Sequence, residues 1–488
     1  MYKRVINIIG KLQFIIGGSM MLPLFVAVIY KEYSSVVAFT IACAICFGLG
    51  IITTSILGRD VSAETLRYTD SYFIVSFAWI MSSVLAAIPF VIQGSIPNVV
   101  DAFFEMCSGF STTGATILTD VEALPKSMLL WRSETQWLGG MGIIVLMVAL
   151  VPNLGVKAQN VASAETPGPT VTKLTSRFSD TARSLYIAYV ILTVILIVLL
   201  LLGGMSMFDA VAHSFSTMAT GGFGVYNDSV AHFHSYYITW VIIIFMIIAG
   251  TNFNLFFTML GCKIKTALAD EELRLYAGIL AISTTLITIS LLFQGGYKNT
   301  FKAVTDAAFQ VATMISTTGY ATTDFNLWPA FCKMVLILVM FTGAMSSSTA
   351  GGIKIIRVLS VFKMFKREVR VRLHDNIIDD VKYNGTKISG EVMMYMLSFV
   401  ITFLITLSIG TMLVSLRSNA DLVTDFTAVL SCISNVGPGL AQVGPIENFH
   451  FYSDFATFVL ALIMIIGRLE LSTFLIMFSR HYWNRHIV

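Results

Sequence analysis

The groups in this chain best placed to do chemistry are backbone carbonyls held by threonine and glycine. Four times an Asp is followed, 12 or 13 residues later, by a glycine inside a short Thr/Ser/Gly stretch. The units run from Asp101 to Gly114, Asp209 to Gly221, Asp306 to Gly319 and Asp425 to Gly437. Long apolar runs bracket each one, and the glycines recur about every hundred residues, as in one unit repeated four times. The chemistry on offer is cation coordination. Each Asp leads about ten helix-compatible residues, half a membrane crossing. The Asp is suited to cap the outer amides, and the carbonyl end then carries roughly half a negative charge towards the membrane centre. Glycine permits positive φ, so successive carbonyls can face one axis and replace an ion's hydration shell. The predicted coordinating stretches are Thr112-Thr113-Gly114, Ala219-Thr220-Gly221, Thr317-Thr318-Gly319 and Asn435-Val436-Gly437. The alternative, that Gly and Thr only allow close helix packing, fits one copy better than four at matched offsets. An acid follows each glycine: Asp120, Asp228, Asp324 and Glu447. These predict either a ring concentrating cations at an outer mouth or ordinary solvated loop residues.

Two features depart from four-fold symmetry. The second apolar run of the third unit reads FTGAMSSSTAGGIK, from Phe341 to Lys354. So many glycines and hydroxyls make a poor continuous helix. They predict an unwound loop below the coordinating layer, with Gly343, Ser346, Ser347, Ser348, Gly351 and Gly352 as gating residues; a tightly packed small-residue helix is the alternative. Arg468 lies in IMIIGRLEL, deep in the last apolar run, where a charge is costly and normally faces a cavity or partner. On the pore axis it would oppose cation passage. Glu470, two positions on, points to a different helix face and is a weak partner. The basic stretch from Lys354 to Arg372 either docks a cytosolic partner or anchors to anionic lipid.

The elements that position these residues follow from composition. Of 488 residues 56% are hydrophobic and 12% charged, with mean hydropathy +0.80, which excludes a soluble globule. Runs long enough to cross a membrane as helix occur near Val5–Tyr30, Ser35–Leu57, Tyr72–Ile92, Leu129–Val151, Leu185–Gly204, Ile238–Leu260, Leu275–Phe293, Phe331–Ile356, Met393–Val414 and Phe455–Phe478. The predicted fold is an all-α polytopic membrane protein of ten transmembrane helices. Two N-terminal spans (1–70) precede four span–pore-helix–filter–span repeats around a pseudo-four-fold pore (71–182, 183–272, 273–390 and 391–488), the third carrying the loop and the basic segment. With both termini cytoplasmic, most of the 31 Lys/Arg, including Arg59, Arg67, Lys157, Lys173 and Arg177, fall inside and all four glycine motifs outside.

The net charge of +3 is too small to suggest nucleic acid. The six cysteines lie mostly in or beside apolar runs, and Cys43-x-x-Cys46 has no neighbouring ligand, so a buried apolar pair is the better reading. An enzyme would need a catalytic constellation. There is no H-E-x-x-H and no G-x-S-x-G, and the seven histidines are scattered. Proton coupling would need intramembrane carboxylates in a relay, for which Glu134 and Glu470 are few candidates.

These residues together resemble the Trk/Ktr/HKT superfamily of potassium transporters, most closely the bacterial TrkH type. The resemblance rests on WRSETQWLGGMGIIVL (Trp131–Leu146), AETPGP (Ala164–Pro169), KLTSR (Lys173–Arg177), the four filters, STAGGIK (Ser348–Lys354), NVGPGL (Asn435–Leu440) and GRLEL (Gly467–Leu471). Two spans before Tyr72 favour the TrkH type over the Ktr type. Gly114 stands where sodium-preferring plant relatives carry serine. Ser346-Ser347-Ser348 departs from a loop that relatives make richer in glycine. The resemblance implies potassium as substrate, no cofactor on this chain, and a multi-pass subunit of the cell inner membrane. It also implies a homodimer with one pore per chain and a cytosolic, nucleotide-binding TrkA-like ring as partner. A sodium-permeable or proton-coupled symporter on the same scaffold is the alternative.

Overall fold

In hydrocarbon a chain must satisfy its own backbone hydrogen bonds, so the apolar runs fold as helices. The computed structural model describes residues 2–57, 68–142, 178–261, 263–373 and 380–476. The AETPGP and KLTSR stretches, the inner part of the run Leu129–Val151, Cys262, and Arg59, Arg67, Lys157, Lys173 and Arg177 lie outside the described residues.

Helices α1 (Tyr2–Ser19) and α2 (Met21–Ile29) form one run, and α3 (Tyr33–Ile51) returns beside it. Each unit then supplies a long helix, a short helix and a second helix. The first is α4 (Tyr68–Gln93), α5 (Val99–Phe110) and α6 (Lys126–Gly140); the second is α7 (Phe178–Leu202), α8 (Met207–Met218) and α9 (Tyr236–Ala249), followed by α10 (Phe253–Leu260) and α11 (Ile264–Leu268). The third is α12 (Glu271–Phe293), α13 (Thr300–Ile315) and α14 (Ala330–Thr342), continued by α15 (Ile355–Leu373). The fourth is α16 (Gly390–Ser415), α17 (Leu422–Ser434) and α18 (Asp454–Arg468), with a last turn α19 (Ser472–Leu475). One antiparallel hairpin, β1 (Lys382–Tyr383) with β2 (Thr386–Lys387), is the described exception to an all-helical chain.

Among the described residues six helices are long and apolar enough to cross a membrane: Val5–Ile29, Tyr33–Ile56, Ser71–Gln93, Ala182–Leu202, Glu271–Phe293 and Gly390–Ser415. Helices α9 and α10 pass the same test as a pair, bent by 95°. The second helices of the other three units do not meet this test by themselves among the described residues. As described, α6, α9, α14 and α18 have 15, 14, 13 and 15 residues, short of the roughly 20 a bilayer core demands. Glycines near the inner ends of two of them permit close approach to neighbouring backbone. A methyl group at Gly139 would overlap the carbonyl of Phe110, and one at Gly467 that of Ile433.

The units close on one another. α8 packs on α6, α13 on α9, α17 on α14 and α5 on α18, so each short helix lies against the second helix of the preceding unit. The short helices are the core: Ala102 to Phe110 is buried without interruption. The long helices turn apolar side chains outward, among them Val190, Val194 and Val198 on α7. At a spacing of four these share one face, as suits a helix whose solvent is lipid.

Candidate ion-coordination site

Each short helix starts at a side-chain cap, but the cap is not the repeated Asp. Asn98, Ser206, Asn299 and Asp421 accept from the amides of Val100, Asp209, Phe301 and Thr424. Asp421 is solvated, and the Thr424 hydroxyl followed by nearby amides holds its carboxyl below the usual range. The repeated acids lie further into the helix, where three of them tie it to the outer loops. Asp209 accepts from Tyr226 Oη at 3.2 Å, Asp306 from Tyr297 Oη at 3.1 Å, and Asp425 from Tyr452 Oη at 3.0 Å. The expectation of Asp as cap is corrected accordingly.

At their inner ends the four helices stop in one way. Thr112, Thr220, Thr317 and Asn435 adopt left-handed conformation, with φ of +54, +54, +57 and +55°. The next residue's amide then bonds five residues back: Thr113 to Ser108, Gly221 to Ser216, Thr318 to Thr313 and Val436 to Ser431, at 2.8 to 2.9 Å. Three threonines in this conformation are genuine outliers, because a β-branched side chain crowds there. The glycine that follows has φ of +85° at Gly114, +79° at Gly222, +86° at Gly319 and +102° at Gly437.

This geometry moves the second stretch by one residue. The equivalents of Thr112-Thr113-Gly114 are Thr220-Gly221-Gly222, and Ala219 is a right-handed cap residue matching Ser111 and Ser316. With Gly222 the Asp-to-glycine spacing equals that of the first and third units. The sequence offered two adjacent glycines, and only the backbone distinguishes them.

The four stretches form a closed ring. A methyl group on Gly114 would overlap the carbonyl oxygen of Gly221, one on Gly222 that of Thr318, and one on Gly319 that of Val436. One on Gly437 would come within 2.7 Å of that of Thr113. Each glycine thus lies against the middle carbonyl of the next unit, and the fourth returns to the first. Above them opens a cavity lined by Gly114, Gly222, Gly319 and Gly437 together with Glu447. The expected ring of acids is reduced. Asp324 caps a short turn by accepting from Asn326, Asp228 faces His232 at 3.4 Å, and Asp120 is bonded to Asn227 at 2.9 Å. The Asn227 amide, with the amides of Glu122 and Ala123, holds the Asp120 carboxyl below its ordinary value against some desolvation. Only Glu447 of the four lines the cavity.

Residues 343–354 are non-helical and lie directly under this ring. Gly343 has φ of +63°, Ser347 +52° and Gly352 +76°. The segment touches three units: Thr220 Oγ1 donates to Thr349 Oγ1 at 3.3 Å, Gly351 N to Thr317 Oγ1 at 2.8 Å, and a methyl on Gly351 would overlap the Ser434 carbonyl. Ser347 O accepts from Phe253 N at 3.2 Å, in the bend of the second unit. Ser348 donates to Met345 O and accepts from Lys354 Nζ. Arg468, 9% exposed, is the last residue of α18 and not mid-helix. Its guanidinium donates to Thr349 O at 2.7 Å, Gly139 O at 2.9 Å and Gly140 O at 2.8 Å. It therefore joins the segment to the carbonyl end of α6, where a cation is favoured.

Several residues here were missed by sequence reasoning. Glu272, on α12, accepts from Ser346 N at 2.7 Å, Ser346 Oγ at 2.8 Å and Ile356 N at 3.2 Å, clasping both ends of the segment. Glu470 pairs at 2.6 Å with Arg357, whose guanidinium lies 3.8 Å over the Phe399 ring. Lys354 and Arg357 are buried, so the basic stretch begins inside the protein and only its later part faces outward. Beside the first stretch, Arg132 Nε meets Glu105 at 2.8 Å, both side chains buried, and Arg132 Nη1 donates to Gly224 O at 3.3 Å. For Arg132, Lys354 and Glu470 the available signal was an ionisable residue inside an expected span; Glu105, Glu272 and Arg357 lie outside those spans and gave none.

The profile of the family described as "TrkH: Cation transport protein" matches residues 34–485. The chain belongs to the TrkH family. The chain is 35% identical over 487 residues to the Trk system potassium uptake protein TrkH of Salmonella typhimurium, covering 99% of both. It is 34% identical over 485 residues to the Trk system potassium uptake protein TrkG of Escherichia coli K12, covering 98% of both. Its fold matches the crystal structure of the potassium transporter TrkH from Vibrio parahaemolyticus with a TM-score of 0.87 at 30% identity, covering 99% of this chain and 100% of that one. TrkH-family proteins are membrane cation transporters and not enzymes.

Proposed function

We propose that this chain is the channel-like, ion-translocating subunit of a Trk-type potassium uptake system in the cytoplasmic membrane, with both termini inside. The observation that carries the reading is the ring of four left-handed helix ends, each with its middle carbonyl against the glycine of the neighbouring unit. Conformations this unfavourable persist where surrounding structure enforces them for use. Carbonyls fixed on one axis substitute for water around a dehydrated cation. The names of full-length relatives support potassium as that cation. The filter is Thr112-Thr113-Gly114, Thr220-Gly221-Gly222, Thr317-Thr318-Gly319 and Asn435-Val436-Gly437. The gate is the segment Gly343–Gly352, with Ser346, Ser347, Ser348 and Gly351, held under the filter by Arg468. The chain works as a homodimer with a cytosolic nucleotide-binding TrkA-like ring. Glu272 and Glu470 are committed to backbone amides and Arg357, which leaves Glu134, buried with its Oε2 unpartnered among the described residues, as the carboxylate on which the proton-coupled alternative would rest.

The test is flux of a labelled potassium analogue against sodium in proteoliposomes of the purified protein. Gly114→Ser should lower potassium-over-sodium discrimination, since a side chain there collides with the Gly221 carbonyl. Unchanged discrimination in a folded Gly114→Ser protein would reject the filter.

A further inference from the structure

Gly221 breaks the chemical pattern of the ring, whose other middle residues are Thr113, Thr318 and Val436. The cause is Gln136, a fully buried side chain from α6 of the first unit. Its Oε1 accepts from Phe223 N at 3.1 Å, and its Nε2 donates to Gly221 O at 2.6 Å. The Phe223 amide can only donate, which identifies Oε1 and turns Nε2 to the carbonyl. A Cβ on Gly221 would overlap Gln136 Cδ and lie 2.8 Å from its Cγ. A side chain from another unit thus fills the space that threonine or valine fills elsewhere. It spans Gly222 like an added peptide group. Among the described residues no hydrogen bond is donated to the carbonyls of Thr113, Thr318 or Val436.

We propose that Gln136 is a positioning residue that sets how the filter discriminates among monovalent cations, by holding the Gly221 carbonyl in place from behind. This rests on the filter reading above. A carbonyl oxygen has two lone pairs. One accepts from Gln136, and the other remains for the ion. The braced carbonyl cannot swing inward to embrace a smaller cation, and the donated proton reduces its negative field. The second unit therefore coordinates differently from the other three, and four-fold symmetry of the ion's ligand field is broken at one known atom.

The experiment is the bi-ionic reversal potential of purified protein in planar bilayers, potassium against sodium. Gln136→Met retains length and bulk and removes both hydrogen bonds. The potassium-to-sodium permeability ratio should fall about two- to ten-fold, the equivalent of one net hydrogen bond. Gly114→Ser runs in parallel. If Gly114→Ser lowers the ratio and folded Gln136→Met keeps the wild-type value, the role of Gln136 is overturned and the filter stands. If neither changes it, the filter reading falls and this inference with it. Should Gln136→Met fail to fold, Gln136→Ala with Gly221→Thr fills the site with the side chain of units one and three. The same fall is expected there, and a wild-type ratio would overturn the proposal.

Discussion

Replacing Arg468 by Ala removes three charge-assisted hydrogen bonds, to Thr349, Gly139 and Gly140, at 2.7 to 2.9 Å. Bonds to a charged group contribute about 1.5–3 kcal/mol each. The segment keeps its other ties, to Glu272, Thr220, Thr317 and the Ala249 carbonyl, so it loosens and does not unfold. With water replacing much of what is lost, a net change of about 2 kcal/mol remains, which shifts a closed–open equilibrium roughly 30-fold. Removing a positive charge from beneath a carbonyl ring also lowers the electrostatic barrier to a cation. Basal potassium flux per folded molecule should therefore rise by at least ten-fold on the scale of about 1.4 kcal/mol per decade, with selectivity unchanged. The assay is flux in proteoliposomes, normalised to monodisperse protein recovered after reconstitution. Arg468→Lys should fall between, since one ammonium cannot match a planar fork spread over three carbonyls. A stable Arg468→Ala protein with wild-type or lower flux would remove the residue from the gate. Poor recovery of protein with no gain of flux would make it a structural tie instead.

Glu272→Ala should also raise basal flux, and combining it with Arg468→Ala should be less than additive if both hold one segment; independent, additive effects in the same flux assay would separate them. Gly222→Ala should lower potassium-over-sodium discrimination, because its methyl meets the Thr318 backbone at φ of +79°, a conformation costing roughly 1–2 kcal/mol for a non-glycine residue. Gly221→Ala meets only the Gln136 side chain, so a second change, Gln136→Ala, should restore folded yield there and nothing comparable should restore it for Gly222→Ala. Equal rescue at both positions would contradict the shifted register. Glu105→Gln leaves the buried Arg132 charge without its counter-charge and should cost about 3–5 kcal/mol; an unchanged thermal unfolding midpoint in detergent would show that the pair is not needed for stability.

The corrections share a physical pattern. The ten apolar runs were legible because burying a helix in lipid needs only length and hydropathy. Which backbone lies across from Gly139 or Gly467 was not, since that is settled only by tertiary packing. The third-unit segment was legible from its own composition, as glycine and serine disfavour helix wherever they stand. The acids were misplaced as caps because Asp suits a cap on propensity alone, while Asn98, Ser206 and Asn299 hold those positions in three units and Asp421, not Asp425, holds the fourth.

The sequence by itself determined a membrane protein, the four-fold repetition, the helix–glycine chemistry suited to cations, and the two features of note beside it, Arg468 and the segment from Gly343. All of these follow from local composition and spacing. Only the tertiary structure decided that Gly222 and not Gly221 closes the ring, that Gln136 stands behind it, and that Glu470 belongs to Arg357 while Arg468 belongs to carbonyls. Those pairings join residues up to 329 positions apart. A hydrogen bond is fixed by distances of a few ångström between atoms that no local pattern brings together, so it can be read only once the chain has folded.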